Sequence, residues 1–378
     1  MNETIRFILF LVVVIVIYGS LNYYFVKKHS NVVTVGTIPA VFFRLLLITI
    51  VLAPVATIVF SMHGPSFMAT VTSFTGYSWL AFLFLFLMIH GTTDILFLVA
   101  KCVGVKPSTA IERTAFLLTT GISIFILLYG WHEAGEIQIE RVSLETKKLP
   151  ADTMKIKLVV ISDVHFSPII GVEAAKRIST LVQKEDPDII ICTGDLLDRG
   201  INHPDKITKI LSGMRAKLGK FAITGNHEFI AGIKESETFF QQAGFQLLRN
   251  KAVSVNGILT IVGVDDPAGK GFGVMESDTE DRLFANFISD RYTILAKHQP
   301  RVNKNSAEKF DLQISGHTHA GQIFPFTLLV KLVFPYLRGM HELDNNSKLY
   351  VNRGTGTWGP PFRFLAPPEI TVFELKKI

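Results

Sequence analysis

Five short polar blocks hold the side chains capable of chemistry, and each follows an apolar run. Asp163 and His165 come after IKLVVIS, Asp195 after IIICTG, and Asn226, His227 and Glu228 after FAITG. His298 follows TILAK, and His317 and His319 lie in SGHTHAGQ. Carboxylate, imidazole and amide oxygen together suit borderline divalent metals. Phosphoester hydrolysis is a reaction that needs such a set, because the anionic oxygens of the substrate repel a nucleophile. Two metal ions roughly 3.5–4 Å apart cancel that charge and activate water. Single blocks say little: Asp-x-His recurs by chance, Gly-Asp often marks a turn, and one histidine is more often a satisfied core residue. GNHE and GHTH are more specific, since paired histidines at strand ends are rarely needed for packing. All five blocks in order, each directly after an apolar run, point to a site.

The elements that must position these blocks are legible from periodicity. Short β-branched runs at 156–162, 188–193, 221–224, 253–264, 292–296, 312–315, 349–352 and 370–375 read as strands. Helical patterns at 172–184, 205–218, 235–243 and 281–289 alternate with them. This is an α/β domain, and in such sheets sites assemble beyond the carboxyl ends of strands. Gly194, Gly225 and Gly316 stand beside the ligand-type residues, where tight strand-to-loop turns need unusual backbone angles.

The remainder of the chain is of another kind. An apolar fraction of 48% and a mean hydropathy of +0.36 over 378 residues are too high for a purely soluble protein. The excess lies before residue 135, where stretches 5–26, 38–60, 78–100 and 114–131 each approach the roughly 20 apolar residues a spanning helix needs. The first is too long, and lacks a small-residue cleavage pattern, for a signal peptide. Four spans are expected in a domain 1–135, followed by 136–154 as a linker or first strand and a catalytic domain at 155–378. Lys27 and Lys28, then Lys101, Lys106 and Arg113, fall between spans 1–2 and 3–4, whereas residues 61–77 hold neither lysine nor arginine. By the positive-inside rule the catalytic domain lies outside the cytoplasmic membrane, with Arg6 the one charge against it. Arg44 and Asp94 fall at one depth, so either they pair or Arg44 snorkels to the interface. A net charge of +6 without a basic stripe gives nucleic-acid binding little support. The two cysteines, Cys102 and Cys192, set no disulfide framework.

Across residues 155–375 the blocks resemble the calcineurin-like metallophosphoesterases, in particular the membrane-associated YkuE-like branch, without substitution at the ligand positions; NRGTGTWGPPFRF also looks like that branch. The resemblance implies an α/β/β/α sandwich after the transmembrane bundle. It implies one metal held by Asp163, His165 and His319, a second by Asn226, His298 and His317, and Asp195 bridging both. His227 would be the proton donor or leaving-group stabiliser. Two divalent ions, manganese, iron or zinc, are the expected cofactors. The bilayer and a phosphorylated, lipid-linked or cell-envelope substrate are the expected partners, with no obligatory protein partner. The expected reaction is cleavage of a phosphodiester or pyrophosphate bond. Rivals are a phosphomonoesterase, a non-catalytic protein with a structural or regulatory metal centre, and a transporter regulated by the hydrolase domain. Arg199, Arg353 and Gly354 are candidate substrate contacts. Asp198, Glu228, Asp265 and Asp266 are candidates for orienting ligands, or ordinary turn residues. The apolar stretch 323–337, with Lys331 its only charge, is expected either to form an interfacial lid or to pack in the core.

Overall fold

Helices that are apolar on every side rather than striped open the chain, a pattern suited to surroundings without water. The computed structural model describes residues 3–32, 37–62, 66–274, 279–285, 290–343 and 346–378. α1 (Glu3–Val32), α2 (Thr37–Met62), α3 (Phe67–Cys102) and α4 (Thr109–Gly135) follow one another. Among the described residues three helical stretches are long and apolar enough to cross a membrane: Val41–Ser61, Phe67–Cys102 and Thr109–Gly135. Three of the four expected spans are thus supported, and α1, 30 residues long, enters as a span only by proposal below. Two compact units result, Met1–Val59 with Thr70–Tyr129, and Phe60–Ala69 with Gly130–Ile378.

Of the two readings left open for Arg44 and Asp94, the pair is not the one formed, and within the first unit Asp94 takes other partners. Lys28 Nζ lies 2.5 Å from Asp94 Oδ1 and the Tyr24 hydroxyl donates to Oδ2 at 2.8 Å, while Arg44 is exposed on α2. Tyr24 and Lys28 stand four apart on α1, hence on one helix face, and together they satisfy the carboxylate.

In the second unit β1 (Gln138–Thr146) and β2 (Lys155–Ile161) precede α5 (Val172–Lys184), β3 (Ile189–Cys192), α6 (Pro204–Ser212), β4 (Gly219–Ala222), α7 (Asn226–Ala231), α8 (Ile233–Gln242) and β5 (Gln246–Leu247). β6 (Lys251–Val255), β7 (Leu259–Val264), α9 (Thr279–Ala285), β8 (Tyr292–Lys297), β9 (Leu312–Ser315), α10 (Phe326–Val333), β10 (Gly339–Glu342), β11 (Lys348–Val351) and β12 (Glu369–Lys377) complete it. One six-stranded sheet has the order β1-β12-β2-β3-β4-β5, the other β10-β11-β9-β8-β7-β6. Strand alternation builds the layers. Leu158 and Val160 of β2 face Ile261, Ile294 and Ile314 of the opposite sheet. Val159 and Ile161 face Ile178 of α5 and Phe240 of α8. On the far side of the second sheet Val262 and Leu295 pack on Phe284 of α9. The outcome is the expected α/β/β/α sandwich. β2, β3 and β4 run parallel, as do β7, β8 and β9, so their carboxyl ends deliver the polar blocks.

One open reading is decided and two expectations need correction. Residues 138–146 are sheet, paired in parallel with β12 from Gln138↔Glu369 to Thr146↔Lys377, so of the two readings of 136–154 this part is strand. The single strand expected at 253–264 is a hairpin, broken where Asn256 and Gly257 take positive φ of 46° and 72°. The helix expected at 205–218 ends at Ser212. The expected helix 281–289 appears as α9, and its residues 286–289 lie outside the described ones.

Candidate metal centre

The seven ligand candidates sit where strands stop. Asp163 and His165 leave β2, Asp195 leaves β3, Asn226 opens α7, His298 leaves β8, and His317 and His319 leave β9. Five of them, Asp163, His165, Asp195, His317 and His319, have left-handed φ between 48° and 74°. Non-glycine residues seldom adopt that region, and strained backbone of this kind gathers at functional sites. Gly225 and Gly316 let the loops close: a Cβ on Gly225 would overlap the Asp195 carboxylate, and one on Gly316 would overlap Ser162 and Asp163.

Three overlapping donor groups result, Asp163–His165–His319, His165–Asp195–His227 and Asp195–His298–His317, each with its ligand atoms within 4.8 Å of one another. Nε2 atoms of His165 and His319 are 3.0 Å apart, and His298 Nε2 lies 3.1 Å from Asp195 Oδ2 and 3.2 Å from His317 Nδ1. Tautomers follow from the outer partners. His165 Nδ1 is bound by Asp198 Oδ1 at 3.0 Å and His298 Nδ1 donates to the Thr193 carbonyl at 2.8 Å, so both Nε2 atoms face inward. Asn226 Oδ1 is buried without a hydrogen-bond partner. A buried amide oxygen left unpaired is costly, and with converging lone pairs and carboxylates it fits a divalent cation.

Charge balance within the group is tight. Burial alone would raise the Asp195 carboxyl, but the imidazoles of His298, His227 and His165 hold it well below the usual carboxylate range. Burial likewise opposes charge on His298, and Asp195 overrides it, raising this imidazole well above its ordinary value. His317 is pushed down to about 3 by burial and by His298. His227 is raised to about 9: burial opposes the charged form, and the hydrogen bond to Asp198 with the charges of Asp195, Asp198 and Glu228 outweighs it.

Residues around the candidate ligands fix them. Asp198 Oδ1 takes both His165 Nδ1 and, at 2.6 Å, His227 Nδ1. Glu228, pushed up to about 7 by burial and by Asp195, accepts the backbone N–H of Asp195, Leu196 and Gly225 at 2.9, 2.8 and 2.6 Å. Asp266 caps the turn after it through Ala268 N, as its Pro267 neighbour suggests, and Asp265 binds Thr224 and Arg249. Arg363 was not among the expected residues. Fully buried, it donates to the carbonyls of His319, Arg353, Ala366 and Gly356 and so locks the 353–356 loop beside a ligand. Only its place in the FRF block hints at this, and arginine there reads equally well as surface.

The candidate substrate contacts sit differently from the ligands. Arg353 Nη2 is 2.5 Å from Glu140 Oε1 and its Nε bonds Glu369, so its guanidinium ties sheet strands together. Arg199 Nε donates to Ile230 O at 2.5 Å on the surface. Gly354, φ 85°, is packed against His319 and Asp163, where a Cβ would come within 3.0–3.1 Å of both.

Comparison with known proteins agrees with this geometry. The calcineurin-like phosphoesterase family matches residues 156–321. The chain is similar to an uncharacterized metallophosphoesterase of Aquifex aeolicus, 36% identical over 257 residues that cover 68% of this chain and 98% of that one. It is similar to the metallophosphoesterase YkuE of Bacillus subtilis, 31% identical over 64% of this chain and 86% of that one. A transmembrane protein with metallophosphoesterase domain from Danio rerio is 29% identical over 68% of this chain and 61% of its own length. With its ligand blocks converging at strand ends and these relatives beside it, the chain belongs to the calcineurin-like metallophosphoesterases, hydrolases of phosphoester bonds.

Proposed function

We propose that this membrane protein uses two divalent ions to cleave a phosphodiester or pyrophosphate bond in a lipid-linked substrate. The position of Asp195 carries the reading. Its carboxylate belongs to two donor groups at once, with His165 and His227 on one side and His298 and His317 on the other. A carboxylate shared in this way lets two cations sit close enough to act on one phosphate. Asp163, His165 and His319 would hold one ion, Asn226, His298 and His317 the other, and manganese, iron or zinc suits the donors. Ions bound there supply positive charge for the phosphate oxygens and lower the pKa of water.

The chain's own groups do the rest. Asp198 holds His227 by Nδ1 and favours its charged form, which leaves the Nε2 proton for the departing oxygen. Glu228 keeps the Asp195 loop from shifting by taking three of its surrounding N–H groups. With α1 counted as a fourth span, Lys27, Lys28, Lys101, Lys106 and Arg113, at or near the helix ends that flank the first and third connections, favour the outer face of the cytoplasmic membrane for the catalytic domain. A hydrolysis panel in metal-reconstituted protein tests the reading, comparing a monoester, a diester and a nucleotide-linked lipid pyrophosphate. Turnover of the diester or the lipid pyrophosphate, absent in Asp195→Asn, is expected; turnover of the monoester alone would refute it.

A further inference from the structure

In the apolar stretch after the GHTH block Ile323 is buried and bridges to Phe364, but the residues from Phe326 to Val333 are neither strand nor core. They form α10, which has no buried residue, and Leu332 on it is 82% exposed. Leu328, Leu329 and Val333 are also exposed, and so are Trp358 and Leu365 on the neighbouring loop. Exposed apolar surface gathered in one place marks a contact.

What covers that face follows from where the loop is tied. Residues 130–135, the end of α4, belong to the second unit. Gly130 O accepts from Arg363 N at 2.9 Å, the Glu133 carboxylate accepts the N–H of Leu365 and Ala366 at 3.2 and 3.1 Å, and the Trp131 ring lies 6.0 Å from Phe362. The next link is Phe324 N to Phe364 O at 3.1 Å, two residues before α10 begins. A chain of bonds therefore runs from the end of a helix fit to span the bilayer to the start of α10. Trp131, half exposed, stands at that helix end, where aromatic side chains collect at membrane–water boundaries. Beyond the other end of α10, Phe334 meets the His317 ring at 4.9 Å, and Trp358 approaches His227 at 6.4 Å. The apolar face thus extends from the end of α4 to the rim of the candidate metal centre. Lys331, the one charge on α10, is long enough to keep its ammonium among head groups while its stem stays apolar.

We propose that α10, Trp358 and Leu365 lie in the head-group and upper acyl layer of the same bilayer, and that substrate enters the metal centre from that layer. The ligand class is an amphiphile whose scissile phosphate sits at head-group depth. This deepens the phosphohydrolase reading and rests on it for the identity of the reaction, whereas the membrane contact stands on geometry alone.

The test uses the full chain in phosphatidylethanolamine–phosphatidylglycerol nanodiscs, with Cys102→Ser to remove the exposed thiol. An environment-sensitive fluorophore is placed at Leu332→Cys and, as control, at Met154→Cys, an exposed position just before the amino end of β2, whose other end carries the site. Lipid carrying a doxyl quencher should quench the Leu332 label severalfold more than aqueous iodide does, and the order should reverse at Met154. Equal iodide quenching at both positions overturns the proposal. Protection of Leu332 from both quenchers also overturns it, because a second copy or another protein would then cover the face. Hydrolysis of soluble bis(4-nitrophenyl) phosphate by the same samples separates the two claims. Hydrolysis without lipid quenching removes only the membrane contact, and lipid quenching without metal-dependent hydrolysis removes only the reaction.

Discussion

Asp198 grips two imidazoles with one oxygen, and its replacement reports on both. Asp198→Asn keeps the shape and removes the charge, so His165 loses its orientation and His227 its preference for the proton. Loss of such a supporting carboxylate typically lowers metal affinity or activity about 10–100-fold. The loss should be larger on an alkyl leaving group than on nitrophenolate, which departs without a proton. His227→Ala should separate the roles further, losing roughly 10²–10⁴ in rate on the alkyl leaving group while metal content by mass spectrometry stays at the wild-type value. An emptied site in His227→Ala would make it a ligand, as its place in the second donor group allows. A pH effect follows for protein stripped by a chelator. His227 is raised from 6.5 to about 9 in the fold, so its ion pair with Asp198 contributes full stability below pH 6.5 and loses it as pH rises through 9. The thermal midpoint should fall across that window in stripped wild type, and less so in Asp198→Asn.

Loops at strand ends form the site, and glycine decides whether they close. Gly316→Ala would drive a methyl group into Ser162 and the Asp163 carboxylate. A displacement of about 1 Å at a reacting group can cost 10²-fold, so activity should drop by about that factor or more with the sandwich still folded by circular dichroism. Unchanged turnover would mean that this loop tolerates movement the geometry forbids. The strands before the metal blocks were legible because each is a buried run with a sharp polar end, as in IIICTGD. β1 was not settled, since QIERVSLET alternates weakly and its pairing with β12 joins segments far apart in sequence. The hairpin of β6 and β7 was concealed because β-branched runs stand on both sides of the turn, although Asn256-Gly257 carried the signal. The ligand candidates were readable from residue type, but the commitment of Arg353 to Glu140 was not, because a partner more than 200 residues away leaves no local pattern. Arg363 was hidden for another reason: its partners are backbone carbonyls that only the folded loop brings together.

For the whole molecule, one unit holds most of the long apolar helices and the other holds the sandwich with the candidate metal centre, and loop charges set the expected orientation. An alkaline phosphatase fusion after Ile378 should be active, and the matching cytoplasmic-type fluorescent fusion dark. The reverse pair of results would turn the catalytic domain inward and remove an envelope-side substrate. The central claim is the shared carboxylate between two cations. Its most direct measurement is a metal titration of chelator-stripped full-length protein, with bound metal and bis(4-nitrophenyl) phosphate hydrolysis read on the same samples. Two ions per chain are expected, hydrolysis should rise as the second binds, and Asp195→Asn should weaken both sites and abolish turnover. One ion per chain at full activity, or an Asp195→Asn protein that keeps two ions and wild-type turnover, would contradict the account.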